Sequence, residues 1–158
     1  MTNGSYVLLE DRGVLALEGE EASGFLNNLV SNDVARAASG TAVHAALLTP
    51  QGKYLHDFFV ARVDGTLVLD CEAARLDDLT RRLSMYRLRA KVTFVDRTED
   101  LAVAVLFDGV AEGDGIFADP RLPAAGARAI LPRSEAVEIL EGKGFVAAPR
   151  EAYDALRL

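Results

Sequence analysis

The sequence predicts an α+β fold, and three observations carry that reading. Two tight turns, Pro50-Gln51-Gly52 and Asp64-Gly65, separate apolar runs of strand length. Two other segments, 22–29 and 73–86, repeat their apolar residues three and four positions apart, the spacing of a helix face. Strands and helices then follow one another without the strict alternation of a parallel βαβ sheet, which leaves a mixed or antiparallel one.

Taken in order, "SYVLLEDRGVLALEG" reads as two short strands around Asp11-Arg12-Gly13. In "EEASGFLNNLV", Ala22, Phe25, Leu26 and Leu29 form one apolar face, and Glu20 and Glu21 sit in the first turn, where negative charge suits the helix dipole. "TAVHAALLT" (41–49) and "KYLHDFFVARV" (53–63) form a hairpin, and the Asp64-Gly65 turn leads into the strand "TLVLDC". The helix 73–86 turns Leu76, Leu79, Leu83 and Tyr86 inward and Asp77, Asp78, Arg81 and Arg82 outward. "KVTFVD" and "LAVAVLF" are strands. After Phe107 the chain becomes rich in Gly, Pro and Ala, which reads as loops around short strands. "SEAVEILEG" is a helix capped by Ser134 and ended by Gly142, and "PREAYDALRL" has Pro149 at a first-turn position before the apolar Tyr153, Leu156 and Leu158. Two regions are expected, 1–107 and 108–158, with the second incomplete at its C-terminal end.

Composition narrows the function. The 158 residues are half apolar and 26% charged, which suits a globular chain of one compact domain or two small ones sharing a core. A net charge of −7, from 24 acidic and 17 basic residues, argues against broad nucleic-acid binding, which needs a surplus of cations to displace counterions. One cysteine, Cys71, excludes an internal disulfide and a four-cysteine zinc site; a buried, inert thiol is its expected state. No apolar run approaches the ~20 residues that span a bilayer, and no signal peptide is visible, so the cytoplasm is the expected compartment.

The chemistry-bearing residues gather in the hairpin. His56 and Asp57 are adjacent in a strand, so they project to opposite faces and cannot form a local dyad. Asp57 shares its face with Leu55, Phe59, Ala61 and Val63, where a carboxylate must be partnered or line a cleft. Pro at i+1 and Gly at i+3 suit a type I turn followed by a bulge; that register puts Thr49 opposite Lys53, and His44 opposite Phe58 on the face of His56. A plain two-residue loop would instead put His44 opposite Asp57. Two histidines on one face raise the possibility of a metal, but no third ligand is evident nearby. In "RRLSMYRLRAKV", Arg81, Arg82, Arg87, Arg89 and Lys91 form a basic run, and the last three share one face of a strand. That patch either attracts a small polyanion or is a solvated face. No P-loop, dinucleotide fingerprint or nucleophile elbow is present.

In order, "GEEASGFLNNLVSNDV", "AALLTPQGKYLHDFFVAR" and "LTRRLSMYRLRAKV" resemble the N-terminal half of YgfZ-type folate-binding proteins, relatives of the glycine-cleavage T-protein. The resemblance implies a ferredoxin-like sheet with helices packed on one face. It also implies a tetrahydrofolate site in a central cleft and a role in iron–sulfur cluster assembly or repair, with iron–sulfur proteins or their assembly factors as partners. The candidate cofactor-binding residues are then His56, Asp57, Asn32, Tyr86, Arg87 and Arg89. On that reading Asp57 meets the pterin, and the cations Arg87, Arg89 and Lys91 attract the glutamate tail.

The chain departs from the family at two places. Aminomethyltransferases carry "LDD" where this chain has "LHD", so His56 replaces the first aspartate and methylene transfer comes into question. The family's Lys-Gly-Cys-(Tyr/Phe)-x-Gly-Gln-Glu motif is absent; "GKGFVAAP" has Phe145 in place of cysteine. The family's chain continues past "YDALRL", so a fragment, prone to self-association, is the expectation. Two alternatives stay open: a folate-dependent aminomethyltransferase, and a non-enzymatic domain that binds an acidic partner or RNA.

Overall fold

The computed structural model describes residues 4–37, 41–109, 113–120 and 126–157. The two strands around Asp11 both form, as β1 (Gly4–Leu8) and β2 (Arg12–Glu18), but they enter different sheets. β2 joins β3 (Val43–Leu48), β4 (Tyr54–Val63), β5 (Thr66–Glu72) and β6 (Thr93–Asp96) in an antiparallel sheet of order β3-β4-β5-β2-β6. β1 joins β7 (Leu101–Phe107), β8 (Ile116–Ala118), β9 (Ala127–Pro132) and β10 (Phe145–Ala147) in the order β10-β1-β7-β9-β8. This second sheet is mixed, because β1 runs parallel to β10 and antiparallel to β7.

Side-chain alternation explains how the sheets stack. In β2, Leu15 and Leu17 face the helices α1 (Ala22–Asn27) and α2 (Leu76–Arg87), while the smaller Val14 and Ala16 face the second sheet. Ala61 and Val68 continue that small-residue surface, which lets the two sheets approach. β7 is buried on both faces: Val103 and Val105 meet the first sheet, and Ala102, Ala104 and Leu106 meet α3 (Ala136–Gly142). The layers are therefore helix, sheet, sheet, helix. The expected α+β class and the helices on one face of the first sheet are both present. A last helix, α4 (Arg150–Arg157), sets Tyr153 between the sheets, only 1% exposed. Among the described residues no helix is long and apolar enough to cross a membrane.

Four local readings change. Tyr86 is 40% exposed rather than inward, because the apolar face of α2 runs out after Leu83. Arg87, Arg89 and Lys91 do not share a strand face: Arg87 ends α2, and β6 begins only at Thr93. Ser134 does not cap α3, which starts at Ala136 without a side-chain cap, and the left-handed residue beyond it is Gly144 (φ 92°), not Gly142. Glu21 stands before α1, not in its first turn. In the Gly- and Pro-rich stretch, 110–112 and 121–125 lie outside the described residues, as do Leu158 and the side chain of Leu156.

The hairpin register is the correction with most consequence. The turn forms as expected: Thr49 N–H donates to the Lys53 carbonyl (2.7 Å), Gly52 N–H to the Thr49 carbonyl (2.8 Å), and Gly52 takes φ 86°. A second irregularity follows at once, because Leu48 pairs with Tyr54 but Leu47 with His56. Leu55 is the extra residue. It packs with the helix-side core, and the Arg75 guanidinium donates to its carbonyl (2.8 Å). From there on His44 lies opposite Phe59 rather than Phe58, and its face is that of Asp57 rather than His56.

The sheets are also joined by charge. Asp70 on β5 is fully buried, and its Oδ1 accepts from Arg12 Nε on β2 (2.7 Å). Its Oδ2 accepts two bonds from Arg128 on β9, from Nε at 3.0 Å and from Nη2 at 2.7 Å. Arg12 also donates to the Asp70 carbonyl (2.9 Å), and the Arg128 guanidinium lies 4.2 Å over the Phe59 ring. Replacing Asp70 with Ala leaves two buried or half-buried guanidiniums without their anion. The expected loss is about 3–5 kcal/mol of unfolding free energy, read by urea titration.

Candidate functional site

Where the first sheet, the second sheet and α4 meet, the surface opens into a cleft of about 340 Å³, within the range of small-molecule sites. Its walls carry His44, Asp57 and Phe59 from the hairpin, Arg12 from β2, Arg128 from β9, and Arg150 with Tyr153 from α4. His44 Nε2 and Asp57 Oδ2 stand 3.1 Å apart, and the His44 ring packs 5.2 Å from that of Phe59. Burial works to raise the Asp57 carboxyl, but hydrogen bonds from Tyr54 and His44 and the positive charge of Arg12 outweigh it. Its pKa lies below the ordinary aspartate value, and the carboxylate is ionised at neutral pH.

The arginines keep fixed positions. Arg12 and Arg128 share the single charge of Asp70, so the buried cluster retains a net positive charge beside the cleft. Arg150 is held by Asp154 and by Asp11, each at 3.1 Å. Against Asp11, burial again raises and Arg150 lowers, and the result is a carboxyl held below its usual range. The cleft thus sets Asp57 against three arginines, Arg12, Arg128 and Arg150, with the carboxylates of Asp11 and Glu72 also on its lining.

The candidate residues fall into three places. Asp57 lines the cleft. His56 does not: it is buried on the opposite face, where its Nε2 meets Asp78 Oδ2 of α2 at 2.7 Å. Asn32 stands behind the hairpin, donating from Nδ2 to the His44 carbonyl (3.2 Å). Tyr86, Arg87 and Arg89 line a different, shallower depression of about 690 Å³ between α1 and the end of α2. That depression and the cleft lie on opposite sides of the first sheet, so one small ligand does not reach both. The two histidines that raised the question of a metal are on opposite faces. Cys71 is buried in the helix-side core, and burial pushes its thiol up to about 12.

No family model matches the chain. It is similar to "Iron-sulfur cluster assembly factor IBA57 homolog, mitochondrial" of Mycosarcoma maydis, with 31% identity over 146 residues, 81% of this chain and 36% of that protein. To the human iron–sulfur cluster assembly factor IBA57, mitochondrial, it is 32% identical over 139 residues, 79% of this chain and 38% of that protein. The chain is a homologue of the YgfZ-like IBA57 factors. It spans little more than a third of the length of these relatives. The fold of this IBA57-like chain is that of the T-protein: 99% of it superposes on half of the aminomethyltransferase T structure from Bartonella henselae, with a TM-score of 0.70 and 16% identity.

Sequence reading found Asp57 and missed the residues around it. Arg12, Asp70 and Arg128 are separated by 58 positions on either side of Asp70 and carry no local motif. A faint signal existed: an aspartate in the apolar strand "TLVLDC" and an arginine in "ARAIL" each require a buried partner. His44 was seen, but with the wrong neighbours.

In the IBA57-like chain, hydrogen bonds from Arg82, His56 and Arg81 hold Asp78 well below the usual carboxylate range. Asp57 and Asp11 are depressed as well. A depressed carboxyl adds stability above its unfolded pKa of about 4 and loses it as pH falls through the folded value. Urea midpoints measured across a pH series should therefore fall below about pH 4, and in Asp78→Asn the midpoint should be lower at neutral pH and its acid decline shallower.

Proposed function

We propose that this chain is the folate-binding module of an IBA57/YgfZ-type protein and acts in iron–sulfur cluster assembly or repair, with iron–sulfur proteins or their assembly factors as partners. One observation carries the reading: the cleft brings an ionised Asp57 and three arginines, Arg12, Arg128 and Arg150, onto one lining. Tetrahydrofolate has the complementary chemistry, a reduced pterin rich in N–H donors and a tail of carboxylates. Asp57 accepts from the pterin nitrogens, and the Arg12, Arg128 and Arg150 wall draws the tail. His56 and Asn32 serve by fixing the hairpin, His56 onto α2 and Asn32 onto the backbone of His44. Tyr86, Arg87 and Arg89, which the resemblance offered for the tail, belong in this proposal to the separate depression. An aqueous compartment is proposed, the cytoplasm as expected from the sequence or the mitochondrion named for the relatives.

A second reading, folate-dependent aminomethyl transfer, draws support from the same carboxylate. The substitution that put it in question, His56 for aspartate, projects away from the cleft and leaves Asp57 in place.

Isothermal titration with tetrahydrofolate is the direct test. Saturable binding is expected, weakened roughly tenfold to a hundredfold in Asp57→Asn, the loss of one charge-assisted hydrogen bond. Absence of heat with the wild-type chain removes the folate reading. In a strain lacking the gene, iron–sulfur enzyme activities should fall and recover with the wild-type gene; unchanged activities would remove the cluster-assembly role. Turnover of an aminomethyl donor that Asp57→Asn abolishes would select the transferase.

A further inference from the structure

We propose that the turn at the C-terminal end of α2 is a docking site for an acidic segment of a partner protein that inserts an apolar side chain beside Leu88. The surface lies across the first sheet from the cleft and does not depend on what the cleft holds.

The first argument is conformational. Ala90 N–H donates to the Arg87 carbonyl (2.8 Å), which closes a four-residue turn with Leu88 at its second position. Leu88 has φ 46° and ψ −110°, the geometry of a type II′ turn, whose second position belongs to glycine. A leucine there is strained and gains nothing from burial, since it is 89% exposed. Met85 (63%) and Tyr86 (40%) add exposed apolar surface on the same stretch. Folding alone does not account for an apolar side chain held in water on a strained backbone.

The second argument is charge. Leu88 and Tyr86 rim the depression of about 690 Å³ together with Phe25, Leu29, Arg87 and Arg89. Two acids share the rim: Glu21 accepts the Lys91 backbone N–H (2.8 Å) and keeps its charge, and Glu20 pairs with Lys91 Nζ (3.4 Å). Arg87 is held with its guanidinium 5.8 Å over Phe94, whose ring in turn lies 5.8 Å from Phe25. Arg89 makes no ion pair among the described residues. With Lys91 the rim gathers three cations, Arg87, Arg89 and Lys91, against two carboxylates, Glu20 and Glu21, a small local positive excess around an apolar hollow in a chain of net charge −7. The complement is an acidic chain with a protruding apolar residue. A bilayer is a poorer match, because the site is concave and the molecule as a whole repels anionic lipid.

The test uses fluorescence anisotropy of a short fluorescein-labelled peptide of glutamates with one central leucine. The wild-type chain should bind it with an affinity that falls as salt rises. Leu88→Gly and Arg89→Glu should each weaken binding by roughly tenfold, the loss expected of an interface anchor. Leu88→Gly suits the turn, so its melting midpoint should stay the same or rise, which separates lost binding from lost folding. The same peptide with serine for leucine should bind the wild type no better than the leucine peptide binds Leu88→Gly. Absence of binding, or binding indifferent to both substitutions, overturns the proposal. So does a concentration-dependent dimer, or sedimentation with phosphatidylserine vesicles, that Leu88→Gly abolishes, because the occupant is then a second copy or a membrane.

Discussion

Asp70 is the point at which the two sheets are tied. Its carboxylate takes Arg12 from its own sheet and Arg128 from the other; Asp70 and Arg128 are almost wholly removed from water, and Arg12 is partly so. A single carboxylate in that position would be untenable, and so would either arginine alone; the group survives because every lone pair that matters has a donor. The geometry that satisfies Asp70 also fixes the relative position of β2, β5 and β9, and with it the rim of the cleft. Arg128 then stacks on Phe59, Phe59 supports the His44 ring, and His44 meets Asp57. The carboxylate that faces the cleft is thus the last member of a chain of contacts that begins at a buried charge.

The hairpin shows how one residue can reassign a site. The extra residue in β4, Leu55, turns to the helix-side core and has its freed carbonyl satisfied by Arg75. Beyond it, the partners of β3 shift by one. Because side chains alternate with a period of two, that shift moves His44 from the face of His56 to the face of Asp57. His56 is left with α2, where Asp78, itself held by Arg81 and Arg82, receives it. The departure from the aspartate pair of the aminomethyltransferases therefore falls on the structural side of the strand.

The two faces of the first sheet differ in character. Toward the cleft, charges are paired and rings are packed. Toward the end of α2, a leucine occupies a backbone geometry suited to glycine and stands in solvent among cations. Asp57 on the one side and Leu88 on the other both lie within the blocks that resemble YgfZ-type proteins, so the resemblance touches two surfaces and not one.

Much of the fold was legible because its cause is local. Alternation in "TLVLDC", the spacing of Leu76, Leu79 and Leu83, and the glycines at 52 and 65 each act within a few residues, and each gave the element it predicted. The opposition of His56 and Asp57 was legible for the same reason. What depended on distant partners was not: the separation of β1 from β2, the exposure of Tyr86, and the helix end and loop that stand in place of a strand at Arg87, Arg89 and Lys91. The sequence by itself determined that a carboxylate at 57 would need a partner or a cleft. Only the tertiary structure decided which, because the bulge at Leu55 and the convergence of Arg12 and Arg128 on Asp70 are set by packing between segments far apart in the chain, where no local pattern records the register.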